Sequence, residues 1–194
     1  MACTLISKGR GLDCNRISGG VKNIYFGVYD KFVDPIDGTG IVQSTGEITD
    51  IEMVAGTGSG LFRYTTPLGV ASISESITDN GTIFYTPTVN LILNRLTKED
   101  QNQIKLLGQT KLVIFAELNA TLASNGHNVI IGLGVTNGME LNAGTIDSGA
   151  SFGDRSGYTL TFDGLEPAPF AMVADYTTNP FDNGAFTNVS VTTS

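Results

Sequence analysis

Apolar residues in this chain recur mostly in alternation, and the runs are short. Val21–Tyr29 (VKNIYFGVY) is rich in β-branched and aromatic residues and predicts a strand. Ile41–Met53, folded about Gly46, predicts a short hairpin, and Leu61–Thr65 predicts another strand. In Leu68–Ile77, Val70, Ser72, Ser74 and Ser76 fall on one face, with Ala71, Ile73, Glu75 and Ile77 on the other. Asp79-Asn80-Gly81 is hairpin-turn chemistry leading into Thr82–Leu93. Pro87 inside that run has no N–H to donate and predicts a sheet edge or a bulge there. Thr110–Leu118 (TKLVIFAEL) and Asn128–Val135 (NVIIGLGV) read as central strands. An Asn137-Gly138 turn then leads to Met139–Asn142. Tyr158–Asp163 and Phe170–Ala174 complete the strands, and Gly144–Gly157 reads as a loop rich in Gly, Ser and Asp. The expected core includes Ile24, Phe26, Leu112, Ile114, Ile130, Leu160 and Phe162.

One segment breaks this period. Thr97 followed by Asp100 has capping-box spacing, Lys98–Leu107 holds good helix formers, and Gly108 suits a stop. A helix is expected at about 98–107. It is short and weakly amphipathic, so it should lie on the outside. Asp34-Pro35-Ile36-Asp37-Gly38 is turn chemistry, and Gly56–Gly60 (GTGSG) is a flexible break. The ends are polar, and residues 1–19 and 175–194 read as arms that order against neighbouring copies. The fold expected is mainly β: an antiparallel β-sandwich or small barrel over residues 20–174, with one flanking helix and extended terminal arms.

Composition narrows the chemistry. The 194 residues include 24 Gly, two Cys, one His and no Trp, and only 15% are charged. Full-length disorder is excluded, because 41% of residues are hydrophobic. Cys3 and Cys14 lack zinc or redox spacing and read as structural thiols. His127, beside Asn125-Gly126, reads as a solvated turn residue without a nucleophile to serve. No phosphate-loop, nucleophile-elbow or zinc-helix motif occurs. Two-carboxylate sugar hydrolysis remains formally open, but the Trp that commonly stacks on sugars is missing. No enzyme activity, metal or cofactor is expected. No apolar run approaches the ~18 residues of a membrane span, so no membrane partner is expected.

Charge is unevenly placed. The net charge is −8. Residues 1–111 carry ten bases and eleven acids, whereas residues 112–194 carry Arg155 against eight acids. The pattern reads either as ordinary solvated charge or as opposed patches that meet between copies. On the second reading, Lys8, Arg10 and Arg16 are candidate subunit-contact residues.

The stretch Gly144–Gly164 (GTIDSGASFGDRSGYTLTFDG) is an acidic, glycine-rich loop feeding a G-Y-T-L-T-F strand. It resembles the closing strand of bacteriophage tail tube proteins. The low charge, the Gly and Thr excess, the missing Trp and the single His also suit a phage structural protein. The resemblance covers about residues 20–174 in layout. It implies rings, commonly hexameric, whose inner sheets join into one barrel and stack as a tail tube or connector. The partners implied are other copies, neighbouring tail or connector proteins, and genomic DNA passing without specific binding. The location implied is the virion, assembled in the host cytoplasm. A DNA conduit should not bind phosphate, so its wall should be acidic or neutral. Glu47, Asp50, Glu52, Asp147 and Asp154 are therefore candidate lumen-facing acids, with basic groups such as Lys22, Arg95, Lys105 and Lys111 elsewhere. The alternatives are a phage capsid-associated or decoration protein, or a ligand-binding β-sandwich module.

Overall fold

The computed structural model describes residues 18–33, 40–56, 58–67, 69–122 and 124–193. The strands are β1 (Val21–Val28), β2 (Ile41–Ser44), β3 (Glu47–Ile51), β4 (Leu61–Thr65), β5 (Ala71–Asp79) and β6 (Ile83–Asn94). After helix α1 (Lys98–Leu107) come β7 (Leu112–Thr121), β8 (Asn128–Leu133), β9 (Met139–Asp147), β10 (Gly157–Gly164), β11 (Ala171–Val173) and β12 (Val191–Thr192). The chain is mainly β with one α-helix among the described residues. Pairing is antiparallel except for β3–β11 and β4–β12, and the sheet does not close into a barrel.

All twelve strands belong to one hydrogen-bonded sheet, in the order β2-β3-β11-β8-β7-β9-β10-β6-β5, with β1, β4 and β12 branching from β7. The link between β7 and β9 is a single residue pair, Leu112 with Met139. At that joint the sheet folds over, and the four-stranded wing β9-β10-β6-β5 covers one face of β4-β1-β7-β8. The layer between them holds Ile24, Phe26, Val89, Leu91, Leu112, Ile114, Ala116, Leu160 and Phe162.

β7 explains why one core is not enough. Its run Leu112–Glu117 has no polar break before Glu117, and all six residues are buried. Alternation sends Leu112, Ile114 and Ala116 into the first core and Val113 and Phe115 to the opposite face. A second core forms there with Tyr25, Phe32, Ile48, Ile51, Met53, Ile130 and Phe181. Each fully buried aromatic or branched side chain contributes about 1.5–3 kcal/mol. All seven expected core residues are buried, but Ile130 serves the second core and the other six the first.

The C-terminal stretch covers that second core, so it orders on its own chain, a correction to the expectation of an arm at 175–194 ordering against neighbouring copies. Asp182 accepts the backbone N–H groups of Asn179, Thr177 and Thr178 at 2.8, 2.7 and 2.9 Å, and these bonds hold its carboxyl down to about 2. The loop so formed delivers Phe181 edge-on to Tyr25 and Phe115, with ring centroids 5.0 and 5.3 Å apart. Beyond it, Thr187 bridges Glu52, and Val191 and Thr192 pair with β4. The few apolar or aromatic residues that pack there, Tyr176, Phe181, Phe186, Val189 and Val191, are irregularly spaced, so no period marks them in the sequence. Residues 1–17 lie outside the described residues, and so does the turn expected at 34–38.

Two further expectations change. β9 runs to Asp147, so the predicted loop shrinks to residues 148–156. Gly144 faces Leu160 across the β9–β10 pair, and an added Cβ would stand 3.2 Å from the Leu160 side chain. Pro87 marks neither an edge strand nor a bulge, since β6 is flanked by β5 and β10. It lies where the β10 ladder ends, between the Thr88–Asp163 pair and the Tyr85–Glu166 bridge. Continued register places the missing N–H on the β10 side, which is why pairing stops there. The helix matches its predicted span: Thr97 Oγ1 accepts the Asp100 N–H at 3.0 Å, and Ile104 and Leu107 pack on the first core.

Candidate assembly surface

The wing has an inner and an outer face. Ala71 and Ile73 of β5, Val89 and Leu91 of β6, and Leu160 and Phe162 of β10 point into the core. Their alternates point away. On β5 these are Ser72, Ser74, Ser76 and Thr78, and on β6 they are Phe84, Thr86, Thr88, Asn90 and Ile92. On β10 they are Thr159, Thr161 and Asp163, and on β9 Ala143, Thr145 and Asp147. The outer face is thus mostly hydroxyls and amides, with the carboxylates of Asp147 and Asp163, and with Phe84, Ile92 and Ala143 as apolar interruptions. Cross-strand bonds tie it together. Thr161 Oγ1 donates to Asn90 Oδ1 at 2.9 Å, and Asn142 Nδ2 to Asp163 Oδ2 at 2.8 Å. Arg155, from the 148–156 loop, donates to Thr159 Oγ1 at 2.9 Å.

The four wing strands contain no Lys or Arg; their charges are Glu75, Asp79, Glu140, Asp147 and Asp163. Among the described residues the wing also has two open edges. There β5 pairs with β6 alone. β9 pairs with β10 along its length, and among the described residues only Met139 is paired on its other side. Each edge strand is nine residues long. Rows of free N–H and C=O groups of this length template pairing with another chain unless covered.

The structure separates the five candidate acids. Asp147 lies on the outer wing face, where its Oδ1 accepts the Gly149 N–H at 2.9 Å. Asp154 is in the adjoining loop and accepts the Ala150 and Ser151 N–H groups at 3.0 and 2.7 Å. Both carboxylates therefore hold the 148–156 loop in shape. Glu47, Asp50 and Glu52 lie on β3 and just after it, at the far end of the sheet from the wing. Register places Glu47 and Asp50 opposite Ser44 and Val42, on the face away from buried Ile48 and Ile51. These three acids share a face with one another and not with Asp147. Among the described residues Asp50 Oδ1 is buried without a hydrogen-bond partner. Lys8, Arg10 and Arg16 lie outside the described residues. Lys22 pairs with Glu117 on β7, Lys105 is on α1, and Lys111 stands 5.1 Å from the Tyr29 ring centroid.

Several polar residues that the sequence pattern did not single out are structurally committed. Glu117 is buried in the second core's wall and accepts bonds from Asn23 Nδ2 at 2.6 Å, Tyr25 Oη at 2.8 Å and Lys22 Nζ at 2.9 Å. Burial pushes its carboxyl up, but these three bonds outweigh burial and hold it below the usual range. Glu166 is buried and caps the 136–137 turn, accepting the Thr136 and Asn137 N–H groups at 3.0 and 2.8 Å. Glu75 accepts the Phe170 N–H at 3.0 Å. Burial raises both carboxyls. His127 is not a free turn residue. It stacks on Tyr176 at 4.4 Å, and its Nδ1 is 2.8 Å from Asp175 Oδ1, fastening the C-terminal stretch. An acidic residue at the end of an apolar strand run, as in FAEL, was the one available signal for Glu117.

Among the described residues no group of three or more His, Cys, Asp or Glu could hold a metal ion. No helix of the described residues is long and apolar enough to cross a membrane. The chain matches no known family model, no curated protein and no solved structure.

Proposed function

We propose that this chain is a self-assembling structural component of a bacteriophage virion. Its copies join into rings that stack as a tail tube or tail connector and pass DNA. The observation that supports this reading is the wing: a four-stranded sheet, open at both edges and free of Lys and Arg.

An isolated sheet with two open edges is an aggregation risk. Joining β5 of one copy to β9 of the next removes both edges at once. Such a contact is head-to-tail, and head-to-tail contacts close into rings when the rotation allows. The joined wings would form one continuous barrel, with the hydroxyl face on one side and the sandwich core on the other. Hydroxyls and amides do not neutralise phosphate. A wall whose four strands carry no cation, with Arg155 at the 148–156 loop as the one base that reaches it among the described residues, offers little counterion-release attraction to a duplex carrying one charge per ~1.7 Å, so DNA slides. Asp147 and Asp163 add weak repulsion. Glu47, Asp50 and Glu52 belong on the outer wall or at a contact between copies.

Negative-stain microscopy of the purified full chain, at rising concentration and without ligand, tests the reading. Rings or tubes with a central channel are the expected result. A monodisperse monomer at millimolar concentration that binds glycans on an array would replace it with the ligand-binding module. The groove of about 620 Å³ around Thr86, Lys111, Glu140 and Asn142 would then be the first site to examine.

A further inference from the structure

The β5–β6 hairpin ends in a tip that the core does not cover. Ile77 and Ile83 are 68% and 56% exposed. Ile77 lies opposite Tyr85, and Ile83 opposite Asp79, so the two isoleucines are diagonal neighbours on one face. The Asp79-Asn80-Gly81 turn needs no apolar flank, since Asp79 Oδ1 takes the Gly81 N–H at 3.0 Å. Two large apolar side chains therefore protrude together where polar ones would serve the hairpin equally well.

The complementary feature lies elsewhere. An apolar groove of about 230 Å³ runs between α1 and β4, lined by Phe62, Tyr64, Leu106 and Leu107. Phe62 and Leu106 are 37% and 55% exposed. A cavity of ~150 Å³ admits benzene, so this one has room for an isoleucine side chain. The groove continues into a polar stretch that holds Arg63, with Glu99 and Asp100 at its far end beside the start of α1. Asp100 is already engaged by the Thr97 hydroxyl at 2.6 Å. Among the described residues Arg63 has no ion pair, and the only charge on the hairpin tip from Ser76 to Thr86 is Asp79.

We propose that the β5–β6 tip of one copy seats in the α1–β4 groove of a second copy, Ile83 and Ile77 entering the apolar end and Asp79 facing Arg63. A copy cannot fill its own groove. The tip is at one end of β6 and the chain enters α1 from the other, about 36 Å away by strand rise, and β5–β6 pairing holds the tip in place up to Asp79 and Ile83. Because knob and groove are different surfaces, each bound copy leaves one of each free, so the contact propagates instead of ending at a dimer. It uses neither the β5 nor the β9 edge. It deepens the self-assembly reading, on which it rests, by supplying a contact between successive rings.

The test places a photo-crosslinking amino acid at position 83 of the full chain and mixes isotope-labelled with unlabelled copies. Cross-links from position 83 to peptides containing Phe62 or Leu106 of the other copy are expected. Cross-links elsewhere, or none, overturn the contact. In parallel, Ile77→Ser with Ile83→Ser should weaken stacking about tenfold or more while single rings persist, and Leu106→Asp should do the same from the groove side. Rings that stack unchanged in both variants overturn the contact and leave the ring reading standing. Cross-links of the expected kind without any ring would keep the contact and refute the ring.

Discussion

Replacing Glu117 with Ala removes one carboxylate and strands two donors. The Asn23 amide and the Tyr25 hydroxyl both bond Oε2, and both residues are buried, at 7% and 1% exposure. Each orphaned buried donor costs roughly 1–3 kcal/mol. The Lys22 ion pair adds little, because the Lys22 side chain is half exposed and screened. The expected loss is therefore about 2–5 kcal/mol, which for a chain of this size lowers the unfolding midpoint by roughly 5–15 °C. Circular dichroism melts of the full chain, with urea titrations as a second probe, measure it. The loss should be carried by the network rather than by lost volume. In a cycle with Tyr25→Phe, the double variant should then cost less than the sum of the two singles. The pH dependence has a definite sign. The folded carboxyl sits below its unfolded value, so its stabilisation is present above about pH 4.5 and is lost as pH falls through the folded value. The gap between wild type and Glu117→Gln should narrow below pH 4.5. A Glu117→Ala protein within about 0.5 kcal/mol of wild type at pH 7 would refute the account.

Phe181→Ala should cost about 3–5 kcal/mol in the monomer, because the ring packs on Tyr25 and Phe115 of the same chain; an unchanged urea midpoint would restore the reading of an arm that orders only against neighbouring copies. Gly157→Ala should destabilise by roughly 1–3 kcal/mol, since an added Cβ would stand 2.0 Å from the Leu93 carbonyl oxygen across the β6–β10 pair. Native-like stability in that variant would contradict the strand register. Glu75 and Glu166 act with the opposite sign to Glu117. Burial raises both, so their ionisation costs stability as pH rises from about 4.5 through their folded values. Glu75→Gln keeps an acceptor for the Phe170 N–H and should lose less stability than wild type between pH 4.5 and 7.5. Parallel urea-midpoint profiles over that range would contradict it.

The elements were legible where one physical rule decided them. Alternation placed β1, β4 and β10 within a residue or two, and the Thr97–Asp100 cap with its helix formers placed α1. The sequence pattern was silent where tertiary packing decided. β9 extends through Ala143-Gly144-Thr145, a weak strand sequence alone, because β10 supplies a full ladder and Gly144 clears Leu160. The C-terminal cover is held by five scattered apolar or aromatic residues and an aspartate-centred loop, neither of which has a period. β7 was readable as a central strand, but a continuous apolar run does not reveal that its two faces belong to different cores. Of the candidate acids, Asp147 and Asp154 hydrogen-bond within i+2 to i−4, a local use that Asp-rich loops commonly make of their carboxylates.

The placement of those acids alters the electrostatic argument for a conduit. Charge counted along the chain pointed to repulsion by carboxylates, yet the two carboxylates nearest the wing's end are spent on backbone N–H groups, and three others sit at the opposite end of the sheet. What distinguishes the wing is the absence of cations from four successive strands. For a wall that DNA must pass, that absence matters more than added negative charge. Each Lys or Arg would add a salt-dependent phosphate contact, and contacts repeated around and along a tube would multiply into tight binding. A hydroxyl can still hydrogen-bond a phosphate, but it exchanges that bond with water at little net cost, so it orders no counterions and sets no preferred register. A Ser- and Thr-rich sheet face also keeps strand propensity through Thr while leaving its side chains short. On the proposed function, the same residues would serve both the sheet and a wall that holds no phosphate.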